Sequence, residues 1–476
     1  MITIASKDLI DLPLLQKAFD KVLNPTLHPP SLSVTHDGQT VISNPLGSTS
    51  YVFLSSRSGT LHLDNNPTSI ARAARTEISS KYLASSLSNG GKDLTRTLWE
   101  DVRVLPPGWS AQIKHADQGL QVQYQAPALL DASSSKEPAD VLVEEIAKVL
   151  PRFDRVALRF SGGVDSTAIL LALRECSSIP ITAYTWICDG GSAPQDLETA
   201  TAVCRKLGVK HHLFTVRPSL LYTPIPPEAV PPDASTALAS FNVMSEFYDE
   251  IRSQDDGATV MEIHGHGGDH LFFDPPHCLS ILESRGLFGR GGLLKVLSSF
   301  CKATGTSLWH PLAEMVRHAY AKKDFRGSGK EHHLQLITNA CFENGYSPMV
   351  PDGVLSFSPF TTAAMISAVA HIHTWEFFED GETRRPLKNS LRRKFKDCPT
   401  LRRDKGHLTA AFQRSLALQE SRLRERVTAG PYAQHGLLSP AWLTEQWKIS
   451  QAGFGGIHPF LMQAICATLA QDAVNA

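Results

Sequence analysis

Along the first ~125 residues, apolar positions alternate with polar ones in short runs. "SYVFLSS", "GTLHLD" and "AQIKHADQGLQVQY" are separated by turn-forming residues. A period of two predicts strands with one buried face, so this part reads as β-rich. The segment "DASSSKEPAD" (Asp131–Asp140) is polar and aperiodic, which predicts a linker. Beyond it the period changes. "VLVEEIAKVL" has helical spacing, "RVALRF" is a short apolar run, and "DSTAILLALREC" is a helix immediately after a glycine turn. The alternation continues with a strand "ITAYTWI", a helix "PQDLETATAVCRKLG", a strand "HHLFTV" and a strand "TVMEIHG". Strands alternating with helices of this length predict a parallel sheet covered on both faces, with ligands at the carboxyl ends of its strands. From about Leu279 the pattern is mostly helical, with turns expected at "GLFGRGG" and "FRGSGKEHH". No internal repeat or long low-complexity segment interrupts it.

A chain of 476 residues has room for two domains, and 42% hydrophobic with 20% charged residues is ordinary for a globular protein. The formal net charge of −1 excludes a global basic field that would recruit nucleic acid or membrane. Eight cysteines without paired spacing suit free thiols in a reducing compartment. No apolar run is long enough to span a bilayer, and "MITIASKDLIDLP" lacks the features of a secretory signal. The expectation is a cytoplasmic protein.

Chemistry concentrates in two places. In "LRFSGGVDSTAILLAL", Ser161–Ser166 joins an apolar strand to an apolar helix. Its glycines let the backbone turn tightly and approach an anion, and the free N–H groups at the helix start point at it. This is a phosphate-binding loop, but neither a Walker A loop nor the Rossmann G-x-G-x-x-G. The second place is "HGHGGDHLFF" (His264–Phe273), whose His264, His266, Asp269 and His270 are residue types that bind zinc. Two glycines separate His266 from Asp269 and break the register of a hydrolase zinc site, and no H-E-x-x-H or C-x-x-C accompanies them.

The hexapeptide Ser161–Ser166, in its strand–loop–helix context, resembles the PP-loop of ATP pyrophosphatases, which cleave ATP to AMP and pyrophosphate. "GHGGDHLF" resembles the second nucleotide loop of the asparagine synthetase family, where a G-x-G-x-D element supplies a carboxylate facing the first loop. The stretch "TWICDGGSAPQDLETATAVCRKLGVKHHLFTV" resembles that family's adenine-side strand and following helix. "TRTLWEDVRVLPPGWSAQI" (Thr95–Ile113) resembles the element that closes its N-terminal amidotransferase-like domain. The resemblance implies an α/β fold: residues 1–130 a degenerate, β-rich glutamine-amidotransferase-like domain, and 131–476 an ATP-binding synthetase domain with a parallel sheet and a helical C-terminal part. It also implies ATP and Mg²⁺, with phosphates on Ser161, Gly163, Ser166 and Gly265, adenine near the Arg159 backbone and Trp186, and the metal on Asp165 and Asp269.

Two departures narrow the expectation. Glutamine-dependent members release ammonia with a cysteine at the mature N-terminus, whereas this sequence begins Met1-Ile2-Thr3 and has no cysteine before Cys176. "GVLSFSPF" (Gly353–Phe360) resembles a stretch that in the family usually reads G-V-E-A-R-V-P-F. Leu355 and Phe357 thus stand where an acid and an arginine are usual, and are expected to line an apolar substrate cavity. β-Lactam synthetases and lasso-peptide cyclases also lack the glutaminase cysteine. The lost charges and the ending "RRDKGHLTAAFQ" look most like the cyclases, which adenylate an Asp or Glu side chain of a precursor peptide and close a macrolactam with its N-terminal amine.

From Arg384 to Lys405 ten basic residues face two acidic ones. Such a run reads as a solvated helix face, a nucleic-acid patch, or cations that meet pyrophosphate and a developing oxyanion. Lys405 matches the position of the family's catalytic lysine, and Arg385 and Lys388 are further phosphate-contact candidates. The expected partners are a linear precursor peptide and a leader-cleaving protease, with no nucleic acid or membrane. A small-molecule amide synthetase, a tRNA-modifying enzyme and a non-catalytic binding protein are the competing readings.

Overall fold

The computed structural model describes residues 2–5, 27–34, 39–57, 60–87, 93–116, 119–129, 135–188, 194–230, 233, 235, 237–254, 257–321, 329–344, 350, 353–379, 381–396, 398–399, 401, 409–453 and 456–475. Residues 131–134 of the proposed linker lie outside them, as does Lys405, and the linker's last three residues, Pro138–Asp140, instead begin the helix Pro138–Val149.

The N-terminal part is built from β1 (Ile2–Ala5), β2 (Ser31–Val34), β3 (Thr40–Ser43), β4 (Val52–Arg57), β5 (Thr60–Asp64), β6 (Arg103–Leu105), β7 (Ser110–Ala116) and β8 (Gly119–Gln125). They form two antiparallel sheets, ordered β1-β5-β4-β6 and β2-β3-β7-β8. Alternation fixes which face is inward: Leu61 and Leu63 of β5, Val52 and Leu54 of β4, and Ala111 and Ile113 of β7 meet in one small core. The other face of the β4 sheet sends Phe53 and Val104 into a larger core shared with C-terminal helices. Helices Pro67–Ala74 and Ser80–Ser86 lie there, started by the side chains of Asn66 and Ser79, which accept the N–H groups of Thr68 and Tyr82.

The second part is a five-stranded sheet of β9 (Arg155–Arg159), β10 (Ile181–Cys188), β11 (Lys210–Val216), β12 (Val260–Ile263) and β13 (Val354–Phe357). Every pairing in it is parallel, and the order is β11-β10-β9-β12-β13. Both faces are covered. Ala157, Tyr184, Phe214 and Val260 enter one core; Leu158, Ala183, Met261 and Ile263 enter the other. The chain therefore has the expected α/β architecture, a parallel sheet with a β-rich N-terminal region and a helical C-terminal part. The order also places a switch point. The chain leaves β9 toward β10 on one side while β12 lies on the other, so loops after β9 and β12 diverge around a crevice at their carboxyl ends.

Two local expectations fail. "GLFGRGG" is not a turn but part of a helix running from Leu279 to Thr304. Glycine costs a helix only ~1 kcal/mol, which tertiary packing of the remaining turns outweighs. In the mostly helical remainder, β13 is a strand that extends the sheet by pairing with β12. No described helix is long and apolar enough to cross a membrane.

Candidate active site

The loop after β9 begins at Ser161 and turns at Gly162, whose φ of +70° favours glycine. A Cβ there would also stand 3.1 Å from the backbone nitrogen of Ala200. The helix Val164–Cys176 then starts at Gly163 with no side-chain cap, which leaves its first N–H groups free of a competing side chain. Ser161 and Ser166 close the loop on itself. Their hydroxyls lie 3.2 Å apart, Gly163 N–H donates to Ser161 Oγ (3.3 Å), and Ser166 Oγ donates to the Gly163 carbonyl (3.2 Å). Ser161 is exposed and Gly163 half-buried, so the mouth of the loop is open to an anion.

The loop after β12 folds onto this one. Gly267 has a φ of +83°. A Cβ on Gly265 would lie 3.0 Å from Asp165 Cβ, and one on Gly268 would lie 2.5 Å from Asp165 Cγ. The space a side chain would take at Gly268 is thus filled by the Asp165 carboxyl group, one residue before Asp269. Both carboxylates stand at the switch point, each in the first turn of a helical segment. Acidic oxygens beside an open turn of N–H groups form a donor set that suits a hard divalent cation bridging to phosphate.

The histidines hold the second loop in place. His264 accepts the His266 N–H at Nδ1 (3.3 Å), and its Nε2 meets Ser356 Oγ at 3.2 Å. His266 Nε2 donates to the Ala340 carbonyl (2.9 Å). Burial keeps both neutral, pushing His266 down to about 4 and His264 well below its usual range. Ser358 Oγ donates to the His266 carbonyl (2.6 Å), tying the loop to the end of β13. Both ring nitrogens of His264 are engaged in this way, which leaves it none for zinc.

Sequence reasoning missed Arg384 and Asp274. Arg384 is 7% exposed; its Nη1 donates to Asp165 Oδ2 (2.5 Å) and its Nε to Asp274 Oδ2 (2.7 Å). Burial opposes its charge, but Asp165, Asp274 and Asp269 outweigh that and hold the guanidinium pKa above its usual value. Asp274 N–H bonds the Asp269 carbonyl (2.8 Å), so all three acids belong to the two interlocked loops. The available signal was the basic run itself, whose first residue, not its second, reaches the carboxylates.

Residues 138–323 match the asparagine synthase family. The matched region carries both loops and ends before β13 and Arg384. No curated protein sequence matches the chain. Among solved structures, it is similar to an NMN synthetase from Francisella tularensis at 15% identity and a TM-score of 0.21, covering 29% of this chain and 56% of that one. It is also similar to the U34-tRNA thiolase NcsA from Methanococcus maripaludis at 11% identity and a TM-score of 0.26, covering 67% and 83%.

Around the asparagine-synthase-like loops the remaining candidates divide. Arg159 ends β9 and turns away from the loop to pair with buried Glu262, its Nε donating to Oε1 at 2.5 Å; Glu262 Oε2 also accepts Ser356 Oγ (2.6 Å). Trp186 packs on Phe214 and Phe247 with ring centroids 5.3 Å away, and its indole N–H has no hydrogen-bond partner among the described residues. Lys388 is almost fully buried, and burial lowers its pKa; Glu382 lies 3.8 Å from its Nζ. Arg385 does not converge on the loops. It pairs with Glu379 and lines a polar cavity of about 320 Å³ with Pro138, His371 and Asn389.

The cavity expected around Leu355 and Phe357 is also corrected. Phe357 is 1% exposed and packs in the sheet core, and Leu355 lies against the same core. Residues two apart on a strand share a face, and here that face is the interior.

Proposed function

We propose that the chain is an ATP-dependent, AMP-forming carbon–nitrogen ligase that closes a macrolactam in a precursor peptide, as lasso-peptide cyclases do. The observation that carries the ligase reading is the glycine-lined contact of the two loops at the switch point, with Asp165 lying in the space beside Gly265 and Gly268. In this reading residues 131–476 form the synthetase and residues 1–130 a degenerate amidotransferase-like domain.

ATP binds at the carboxyl edge of the sheet, its phosphates on the Gly163 backbone and the hydroxyls of Ser161 and Ser166, its purine toward Trp186. Asp165 and Asp269 would hold Mg²⁺, which neutralises phosphate charge and strengthens the leaving group. An Asp or Glu side chain of the peptide attacks the α-phosphorus and pyrophosphate leaves. The peptide's own N-terminal amine then attacks the activated carbonyl and AMP departs. Lys405, by the resemblance of "RRDKG", stabilises the oxyanion. An amine already in the substrate is consistent with a first 175 residues that hold no cysteine to release ammonia. The peptide, and a protease that frees its N-terminus, are the partners this chemistry needs, in the cytoplasm; it calls for no nucleic acid or membrane.

The test is mass spectrometry of peptide incubated with the protein, ATP and Mg²⁺, with AMP assayed in parallel. A product lighter by one water, with one AMP per ring closed, supports the reading. AMP with only a small-molecule amide replaces it by a β-lactam-synthetase-like activity, and absence of ATP cleavage overturns it.

A further inference from the structure

Asp165, Arg384 and Asp274 form a buried ion-pair cluster. Burying a guanidinium costs several kcal/mol, which its ion pairs roughly repay, so such a cluster is weak evidence of stabilisation. Its position is informative. Arg384 Nη1 occupies Asp165 Oδ2, an oxygen of one of the two carboxylates assigned to the metal, while Nε anchors to Asp274, five residues beyond the other. Asp269 adds its field to the same guanidinium. A divalent cation brought to Asp165 and Asp269 meets this positive charge at close range in a buried setting, where repulsion is poorly screened. A triphosphate changes the balance. Its oxygens match the planar guanidinium fork and carry more charge than one carboxylate, so they offer Arg384 a stronger partner.

We infer that Arg384 is a positioning residue that keeps the Asp165–Asp269 pair closed to free divalent metal and releases it when a triphosphate takes up the guanidinium. This rests on the assignment of those carboxylates to the metal. The consequence is positive coupling: nucleotide raises metal affinity, and by linkage metal raises nucleotide affinity by the same factor. Asp274 is the second tether of the guanidinium and involves no residue assigned to metal or phosphate.

The experiment measures two affinities of the full chain, for wild type, R384Q and R384K. Mn²⁺ uptake without nucleotide is read from the electron paramagnetic resonance signal of the free ion. Binding of ATP without metal is read by equilibrium dialysis in chelator. R384Q is expected to bind Mn²⁺ about tenfold tighter and metal-free ATP about tenfold more weakly than wild type. R384K keeps the charge but loses the fork, and shifts both in the same directions by about threefold. This crossing is the signature, because a residue with a purely structural role would weaken both affinities or neither, and either result overturns the inference. If R384Q does not fold, R384K decides alone. Should Mn²⁺ fail to bind even with ATP present in wild type and both variants, the metal assignment itself falls; should it bind with ATP in all three and show no gain without ATP in the variants, only the role of Arg384 falls.

Discussion

The N-terminal sheets and the carboxyl edge of the parallel sheet handle polar groups in opposite ways. In the N-terminal part the small core is entirely apolar, and buried polar side chains complete backbone turns. Asn44 Nδ2 donates to the carbonyls of Ser50 (2.9 Å) and Leu105 (3.0 Å), and Thr97 Oγ1 to that of Val102 (2.7 Å). Each meets nearby carbonyls, although Asn44 Oδ1 itself has no hydrogen-bond partner among the described residues. At the parallel-sheet edge, by contrast, three aspartates and an arginine crowd two loops whose glycines exist to let them approach. Ion pairs placed at so high a desolvation cost are weak evidence of stabilisation, and in the proposed reading they belong to the nucleotide site. The difference separates a structural half from a chemical one, and substitutions in each should not cross over.

The largest effect is expected at the carboxylates. Asp165→Asn and Asp269→Asn should each lower AMP formation on the order of a thousandfold. Asn44→Ala should leave AMP formation unchanged while costing about 1–3 kcal/mol of stability. Parallel AMP assays and thermal melts check this, and normal turnover in either aspartate variant would remove the metal assignment.

Gly268→Ala sharpens the comparison with a single methyl group. The added carbon would lie 2.5 Å from Asp165 Cγ, so the carboxyl must move. A displacement near 1 Å in a reacting site costs on the order of a hundredfold in rate. Gly47, in the N-terminal part, has a φ of +81°. Gly47→Ala there should cost about 1–2 kcal/mol from backbone strain, to which a contact of 3.1 Å with the His28 ring adds, with AMP formation kept. Steady-state AMP assays and denaturant melts distinguish the two outcomes.

The loops themselves were legible in the sequence because their chemistry is local. Glycines, a serine pair and an aspartate fall within six consecutive residues in "SGGVDS", and "GHGGD" is equally compact. Strands β9 to β12 were legible too, since each is a short run rich in apolar and β-branched residues between turn or helix signals. Arg384 and Asp274 were hidden for the opposite reason. They lie 110 residues apart and meet only through tertiary packing, and nothing distinguishes Arg384 from its neighbour Arg385 in composition. Which of the two faces the loops depends on the left-handed backbone of Arg384, φ +54°, just before its helix begins. Phe357 misled by analogy: its position matched a charged residue of a resembled motif, yet strand alternation turns it to the core.

Buried histidines should make the fold sensitive to acid, most of them in the parallel-sheet part and one, His28, in the N-terminal part. His333, at 0% exposure, donates from Nε2 to the Leu271 carbonyl (2.7 Å), and burial pushes its pKa down to about 4. Burial likewise lowers His211, His264 and His266, all in the parallel-sheet part. A histidine whose folded pKa lies below its unfolded value of 6.5 contributes full stability above 6.5 and loses it as pH falls toward about 4, because the unfolded chain binds the proton first. For His333 the loss across that window is on the order of 3 kcal/mol. Urea melts between pH 7 and 4 should show this decline, and His333→Gln should flatten it relative to wild type. A parallel decline in both proteins would assign the acid sensitivity elsewhere.

The smallest expected effect probes the seam between the halves. Tyr51, just before β4, donates its hydroxyl to the Phe342 carbonyl (2.5 Å), and their ring centroids lie 5.5 Å apart. Tyr51→Phe keeps the aromatic packing and removes one neutral hydrogen bond, a loss of about 1 kcal/mol. Helix Gly329–Asn344, which carries Phe342, also supplies the Ala340 carbonyl that holds His266, so the seam lies one helical segment away from the loop after β12. If the N-terminal half serves as a packed support, the variant melts slightly earlier and its KM for ATP is unchanged. A rise in that KM larger than the stability loss explains would show that the support sets the position of the loop through Ala340, and the two halves would then be coupled through this helix.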